Sequence, residues 1–98
     1  MTPSEFNIKL KEFTKSKVGI KLLLPSLQLK KKYEEILNLY YIEELNHYEI
    51  ADRLNMTKES VGNLITKARK EMFDVINKQY KFMDIETQEL IKILLDID

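Results

Sequence analysis

The chain has no cysteine and no tryptophan, only two glycines and two prolines, and no net charge. Without cysteine it has neither a disulfide framework nor a thiolate metal site. So little glycine and proline argues against a turn-rich β architecture. Long apolar runs are missing as well. The longest aliphatic run is Leu22-Leu23-Leu24, far short of the roughly 20 residues that cross a bilayer, so no membrane partner is expected. No apolar leader segment follows Thr2-Pro3-Ser4-Glu5, which places the expected location in the cytoplasm. What remains is a chain of 98 residues, 44% hydrophobic and 33% charged. That length suits a single domain over 1–98, and the apolar fraction is too high for a disordered tail.

The absence of net charge conceals a pattern. Residues 1–32 hold eight Lys against two Glu, and residues 33–56 hold six acids against Arg53 alone. Residues 57–83 return to six bases against three acids, and residues 84–98 hold five acids and Lys92. Charges act over a Debye length of about 8–10 Å, so the alternating blocks present separate local fields. They are either ordinary solvated helix faces or patches for different partners.

Hydrophobic spacing predicts five helices. Thr2, Pro3 and Glu5 form an N-cap, a first-turn proline and a capping-box partner. Phe6, Leu10 and Phe13 carry that helix to about Lys15. Residues 16–24 read as a connector, because they contain Gly19 and precede Pro25, which disfavours helix at the residue before it. A second helix is expected over about 26–42, with Leu29, Tyr33, Ile36, Leu37, Tyr40 and Tyr41 on one stripe. Asn46-His47-Tyr48-Glu49 is a second capping box, opening a third helix whose inward face is Ile50, Ala51 and Leu54. Thr57 caps a fourth helix to about Lys78, with Val61, Ile65, Ala68, Met72, Val75 and Ile76 inward. A last, largely aliphatic helix spans about 85–96. No segment alternates like a strand, so the expected fold is all-α. Its organisation is an N-terminal basic helix and connector over 1–28, a core over 29–80 and an acidic aliphatic helix over 84–98.

The third and fourth helices are joined by only Asn55-Met56-Thr57. So short a link forces a steep crossing, the helix-turn-helix geometry. Ala51 is small enough for the crossing, Asn55 tolerates the left-handed backbone of the turn, and Met56 can tuck between the helices. Around this constellation, the run from Ile36 to Leu45, the segment from Asn46 to Leu54 and the ending Lys67-Ala68-Arg69-Lys70 resemble region 4 of the sigma-70 family. The resemblance covers 44 of the 98 residues, from Leu29 to Met72. LuxR-type response-regulator domains share its core, but Tyr41 and the Lys67–Lys70 ending favour the sigma side. It implies a helix-turn-helix bundle with extra N- and C-terminal helices, acting as a DNA-binding regulator of transcription. The stretch 1–28 is too short for the separate promoter-melting region of a complete sigma factor, so a stand-alone region-4-like protein is expected. Where the family has glycine this chain has Glu44 and Asn55. Where the family has Lys-Ser-Arg it has Gly62-Asn63-Leu64, two cations fewer.

The family architecture puts the helix after Thr57, about 58–70, into the major groove of double-stranded DNA. The implied DNA-binding residues are Thr57, Lys58, Glu59, Ser60, Asn63, Thr66, Lys67, Arg69 and Lys70. Glu59 suits cytosine N4 and Asn63 adenine N6 and N7. Lys67 and Lys70 suit phosphates, with Arg69 at their flank, and the amide end of the helix at Thr57–Ser60 favours a phosphate oxygen. Each is also compatible with a plain solvated face, and Glu59 with compensation of the helix dipole. Gly62 either permits close approach of a neighbour or is a drifted position. Lys30, Lys31 and Lys32 either add backbone contacts or are solvated.

An enzyme is not expected, nor is a cofactor or a metal. His47 is the single histidine, read as a surface residue near Glu43, Glu44 and Glu49, and no nucleophile or phosphate-cradling loop accompanies it. Tyr33, Tyr40, Tyr41 and Tyr48 read as core. The competing reading is a protein-interaction module. It would bind RNA polymerase, a partner that the resemblance implies, or another regulator, without sequence-specific DNA binding. The aliphatic tail either folds back on Phe6, Leu10 and Phe13 or forms a homodimer through the C-terminal helix.

Overall fold

Local capping chemistry starts most of the helices where the sequence predicts. The computed structural model describes residues 1–97. Six α-helices run in the order α1 (Pro3–Phe13), α2 (Lys17–Ser26), α3 (Lys31–Leu37), α4 (His47–Leu54), α5 (Lys58–Gln79) and α6 (Ile85–Leu95). A π-helical turn, Asn38–Ile42, extends α3, and a 3₁₀ turn, Tyr80–Phe82, follows α5. Both capping boxes form: Thr2 with Glu5, and Asn46 with Glu49. Asp84 caps α6 by accepting the Thr87 N–H at 2.7 Å.

Two expectations are corrected. Residues 16–24 are not a connector, since α2 covers Lys17–Ser26 with Pro25 in its last turn. At that position proline forfeits one hydrogen bond near a helix end, a smaller loss than in mid-helix, while α2 buries Ile20, Leu23 and Leu24. Gly19 contributes by close approach: a Cβ there would stand 2.8 Å from Phe13 Cζ. The second correction concerns the helix expected over 26–42. Leu27 to Lys30 lie outside the helix, with Gln28 at φ 53°, and the regular part begins only at Lys31. Its end widens into the π turn, where the Glu43 N–H donates to the Asn38 carbonyl at 3.0 Å.

α5 organises the packing. Val61, Ile65, Ala68, Met72 and Ile76 are its buried stripe, and α3, α4 and the N-terminal part of the fold all pack against it. Phe6 of α1 meets Phe73 of α5 edge-on at 5.3 Å. α6 folds back on α1 and α2, burying Thr87, Ile91 and Leu94. Among the described residues, no helix is long and apolar enough to cross a membrane, and no buried side-chain nitrogen or oxygen lacks a partner.

The family's two missing glycines fall on left-handed backbone. Glu44 has φ 57° and Asn55 φ 56°. Around Asn55 the Met56 N–H returns to the Ala51 carbonyl at 2.9 Å, a Schellman closure that ends α4. Around Glu44 the Leu45 N–H returns to the Leu39 carbonyl at 3.0 Å. Lys17 reinforces this corner, donating to the Tyr41 carbonyl at 3.0 Å and pairing with Glu44 at 3.1 Å.

A left-handed L-residue costs roughly 1–2 kcal/mol, less for Asn. Urea unfolding will therefore show Glu44→Gly stabilised by about 0.5–1 kcal/mol and Asn55→Ala destabilised by about 1 kcal/mol. The Asp84 cap adds a pH signature. The Thr87 backbone N–H, then the Thr87 hydroxyl, holds its carboxyl below the ordinary 3.8. A depressed folded-state pKa gives stability that is present above the unfolded value and lost as pH falls through the folded one. Thermal unfolding followed from about pH 5 to about pH 3 will thus fall more steeply for the wild type than for Asp84→Asn, which keeps the acceptor and does not titrate.

Candidate nucleic-acid interface

The turn after α4 sets α5 across it, and the phase of α5 decides which residues remain free. With Val61, Ile65, Ala68 and Met72 inward, the exposed positions of its first half are Lys58, Glu59, Ser60, Asn63, Thr66, Lys67 and Lys70. They form one stripe at helical spacing along a helix of 22 residues, about 33 Å long at 1.5 Å per residue. Seven of the nine residues expected at the interface share this stripe. Thr57 stands at its head as N-cap, accepting the Ser60 N–H at 3.1 Å and donating to Ser60 Oγ at 2.8 Å. Thr66 donates its hydroxyl to the Gly62 carbonyl at 3.0 Å, which leaves the oxygen's acceptor capacity outward.

Arg69 is placed differently from the rest. It is half-buried, and its guanidinium lies beside the Tyr41 hydroxyl. Burial pushes the Tyr41 phenol up, and the Arg69 charge offsets part of that rise. Arg69 also lines a hollow between α1 and α5, together with Pro3, Asn7, Thr66, Lys70 and Phe73. The first turn of α1 therefore stands beside the second half of the exposed stripe.

The two lost cations turn out not to leave gaps in that stripe. Leu64 is half-buried and packs against the core. Gly62 is half-buried too, and a Cβ there would meet the His47 ring at 3.8 Å, so the position faces α4 and not the free side. His47 is accordingly no surface residue: it is half-buried, with its ring 5.7 Å from that of Tyr40.

Sequence reading missed Tyr48. It is 67% exposed and not core. Its hydroxyl accepts from Lys58 Nζ at 3.0 Å, and the same ammonium lies 4.3 Å from the centre of its ring. The hydrogen bond, then the charge interaction with Tyr48, raises the Lys58 pKa. The phase of α4 carried the signal: His47, Ile50, Ala51 and Leu54 occupy one face, which turns Tyr48 outward. Of the neighbouring lysine run, Lys30 and Lys32 lie 5.9 and 5.3 Å from the Tyr33 ring, and all three lysines are exposed.

Because 3.8 Å is ordinary contact, Gly62→Ala fits without displacement and removes glycine's excess backbone freedom. Thermal unfolding will show it more stable by about 0.5–1 kcal/mol. Gly19→Ala will not show that gain, since its Cβ would stand 2.8 Å from Phe13.

Residues 27–72 match the family model for sigma-70, region 4. No curated protein and no solved structure matches the chain. The matched span begins just before α3 and ends within α5, so it contains the capped α4, the left-handed turn at Asn55 and the exposed stripe. Residues 27–72 are therefore similar to sigma-70 region 4, and the structure gives them the helix-turn-helix arrangement of an all-α fold.

Proposed function

We propose that this chain binds double-stranded DNA as a transcription regulator, with the first half of α5 seated in the major groove. The observation that carries the reading is the exposed stripe of α5, set opposite its buried stripe and held across α4 by the left-handed turn. A major groove about 12 Å wide admits one helix. The first two turns of α5 present Glu59 and Asn63, whose acceptor and amide suit cytosine N4 and an adenine edge. Lys67 and Lys70 lie one to two turns further on, where a helix leaving the groove passes the phosphates. Thr57 and Ser60 stand at the amide end of α5, which favours a phosphate oxygen. Lys58, held on Tyr48, projects from the same end, so Tyr48 joins the proposed contact set. Arg69 acts at the flank, through its place beside Tyr41.

The field around this stripe is mixed. Glu35, Glu43, Glu49 and Asp52 are exposed on α3 and α4 and in the turn between them. This acidic surface favours a second reading, in which the domain docks on RNA polymerase or another regulator without reading a DNA sequence. For the DNA reading it lowers the net attraction, so binding is modest and strongly salt-dependent.

The two readings separate on one comparison. Fluorescence anisotropy with random duplex DNA, repeated over a salt series, is measured for the wild type and for Lys67→Ala/Lys70→Ala. Loss of two phosphate contacts lowers the slope of log affinity against log salt by about 2. An unchanged affinity and slope would remove both lysines from the interface. Selection of bound sequences from random DNA, run beside a pull-down of RNA polymerase, tests the rest. Polymerase recovered without any sequence enrichment selects the interaction module.

A further inference from the structure

Covering α6 on one side leaves its other side bare. Among the described residues, nine large hydrophobic side chains are exposed, and six of them belong to α1, α2 and the C-terminal segment: Ile8, Val18, Leu22, Ile85, Ile93 and Ile97. Two shallow depressions record how these meet. One lies between α1 and α6, with Ile8, Val18, Leu90 and Ile93 in its wall. The other lies between α2 and α6, with Leu22, Ile85, Leu90 and Ile93. Leu90 and Ile93 belong to both, so the two form one continuous apolar strip. Ile93 is 68% and Ile85 76% exposed. A contiguous apolar strip of this kind on a small domain marks a contact surface. No residue of α5 lines either depression.

The charges beside the strip identify its occupant. The α1–α2 edge beside the strip is basic: it carries Lys9 and Lys21, and its one acid, Glu12, is paired with Lys15 at 3.0 Å. Lys9 lines the first depression, and Lys21 is exposed on the turn of α2 that carries Val18 and Leu22. The α6 edge is acidic: residues 84–97 carry four acids against one Lys. Asp84, Glu86 and Glu89 line the second depression, with no base among its lining residues. The edge that carries Lys9 and Lys21 is therefore net positive and the α6 edge net negative. A partner of a single sign would suit one edge and repel the other. A second copy related by a two-fold axis sets each acidic edge against a basic edge, twice over, with the apolar strips facing each other between them.

We infer that the α1–α2–α6 face is the interface of a homodimer. It buries Ile85 and Ile93 at its centre and matches Lys9 and Lys21 of each copy with the acidic α6 edge of the other. The interface leaves the α5 stripe of both copies free, and it does not rest on the DNA-binding reading.

Sedimentation equilibrium of the full chain across the micromolar range tests it. The wild type is expected to rise toward twice the chain mass as concentration increases. Ile93→Glu is expected to stay monomeric, or to dimerise at least about tenfold more weakly. Circular dichroism should show its melting little changed, because Ile93 contributes little to the monomer core. Lys9→Glu/Lys21→Glu should weaken the dimer similarly, and adding Glu86→Lys/Glu89→Lys to that variant should restore it. A wild type that remains one chain mass into the hundreds of micromolar range would overturn the inference. So would an Ile93→Glu dimer as tight as the wild type, or a fourfold charge reversal that fails to restore association. A monomer that captures a different protein on this face overturns it as well.

Discussion

Everything at the exposed face of α5 depends on one residue standing in the left-handed region of backbone space. At Asn55 the chain reverses so tightly that the Met56 N–H closes on Ala51, and α4 cannot continue. Two residues later Thr57 caps α5. Between these two events there is no freedom to choose another crossing, so the faces of α4 and α5 that meet are set by phase alone. Ile50 and Val61 become core, while Glu59, Asn63 and Lys67 are left outside. A right-handed residue at position 55 would extend α4 and carry the start of α5 away from it. The same device recurs at Glu44 before α4 and at Asp96 after α6, both with φ 57°. In each case a non-glycine residue tolerates the conformation because the surrounding hydrogen bonds over-determine it.

What was legible in the sequence was local. Thr2 with Glu5, Asn46 with Glu49, and Thr57 declare helix starts through side chains that reach only three residues along the chain, so no tertiary knowledge is needed to read them. The stripe of α5 was legible for a related reason: 22 residues give a periodic pattern room to repeat. Residues 16–24 were not legible, because their signals conflict. Gly19 and Pro25 weaken helix locally, yet the burial of Ile20, Leu23 and Leu24 against the neighbouring helices outweighs them. That burial exists only once the π turn and α6 are in place. The π turn at Asn38–Ile42 was hidden for the same reason, since Tyr40 and Tyr41 fit a regular stripe equally well in sequence.

At the candidate site the division runs between phase and partnership. Phase told which side chains of α5 are free, and the exposed stripe contains seven of the nine residues expected there. Partnership was invisible. Nothing in the spacing tells that Lys58 sits on Tyr48, that Arg69 lies beside Tyr41, or that Gly62 faces His47. Tyr48 in particular was assigned to the core because aromatic residues at helical spacing usually belong there. Packing of Ile50, Ala51 and Leu54 against the core fixes the rotation of α4 and turns that ring outward instead.

The neutral total charge follows from the same geometry. α5 runs well beyond the helix-turn-helix and anchors α1 through Phe73, while α6 packs on α1 and α2. This arrangement separates the exposed stripe of α5 from the apolar strip along α6, and the two have no residue in common. Charges of opposite sign can then accumulate at different faces without neutralising one another, since each acts only over about 8–10 Å. The basic residues of α5 set the field at its exposed stripe, tempered by the acids of α3 and α4 alongside. The acids of α6 and the lysines of α1 and α2 set the field across the apolar strip. A sum of zero is therefore what this chain shows when each face is balanced against a neighbour, and it carries no information about the sign that any single partner would meet.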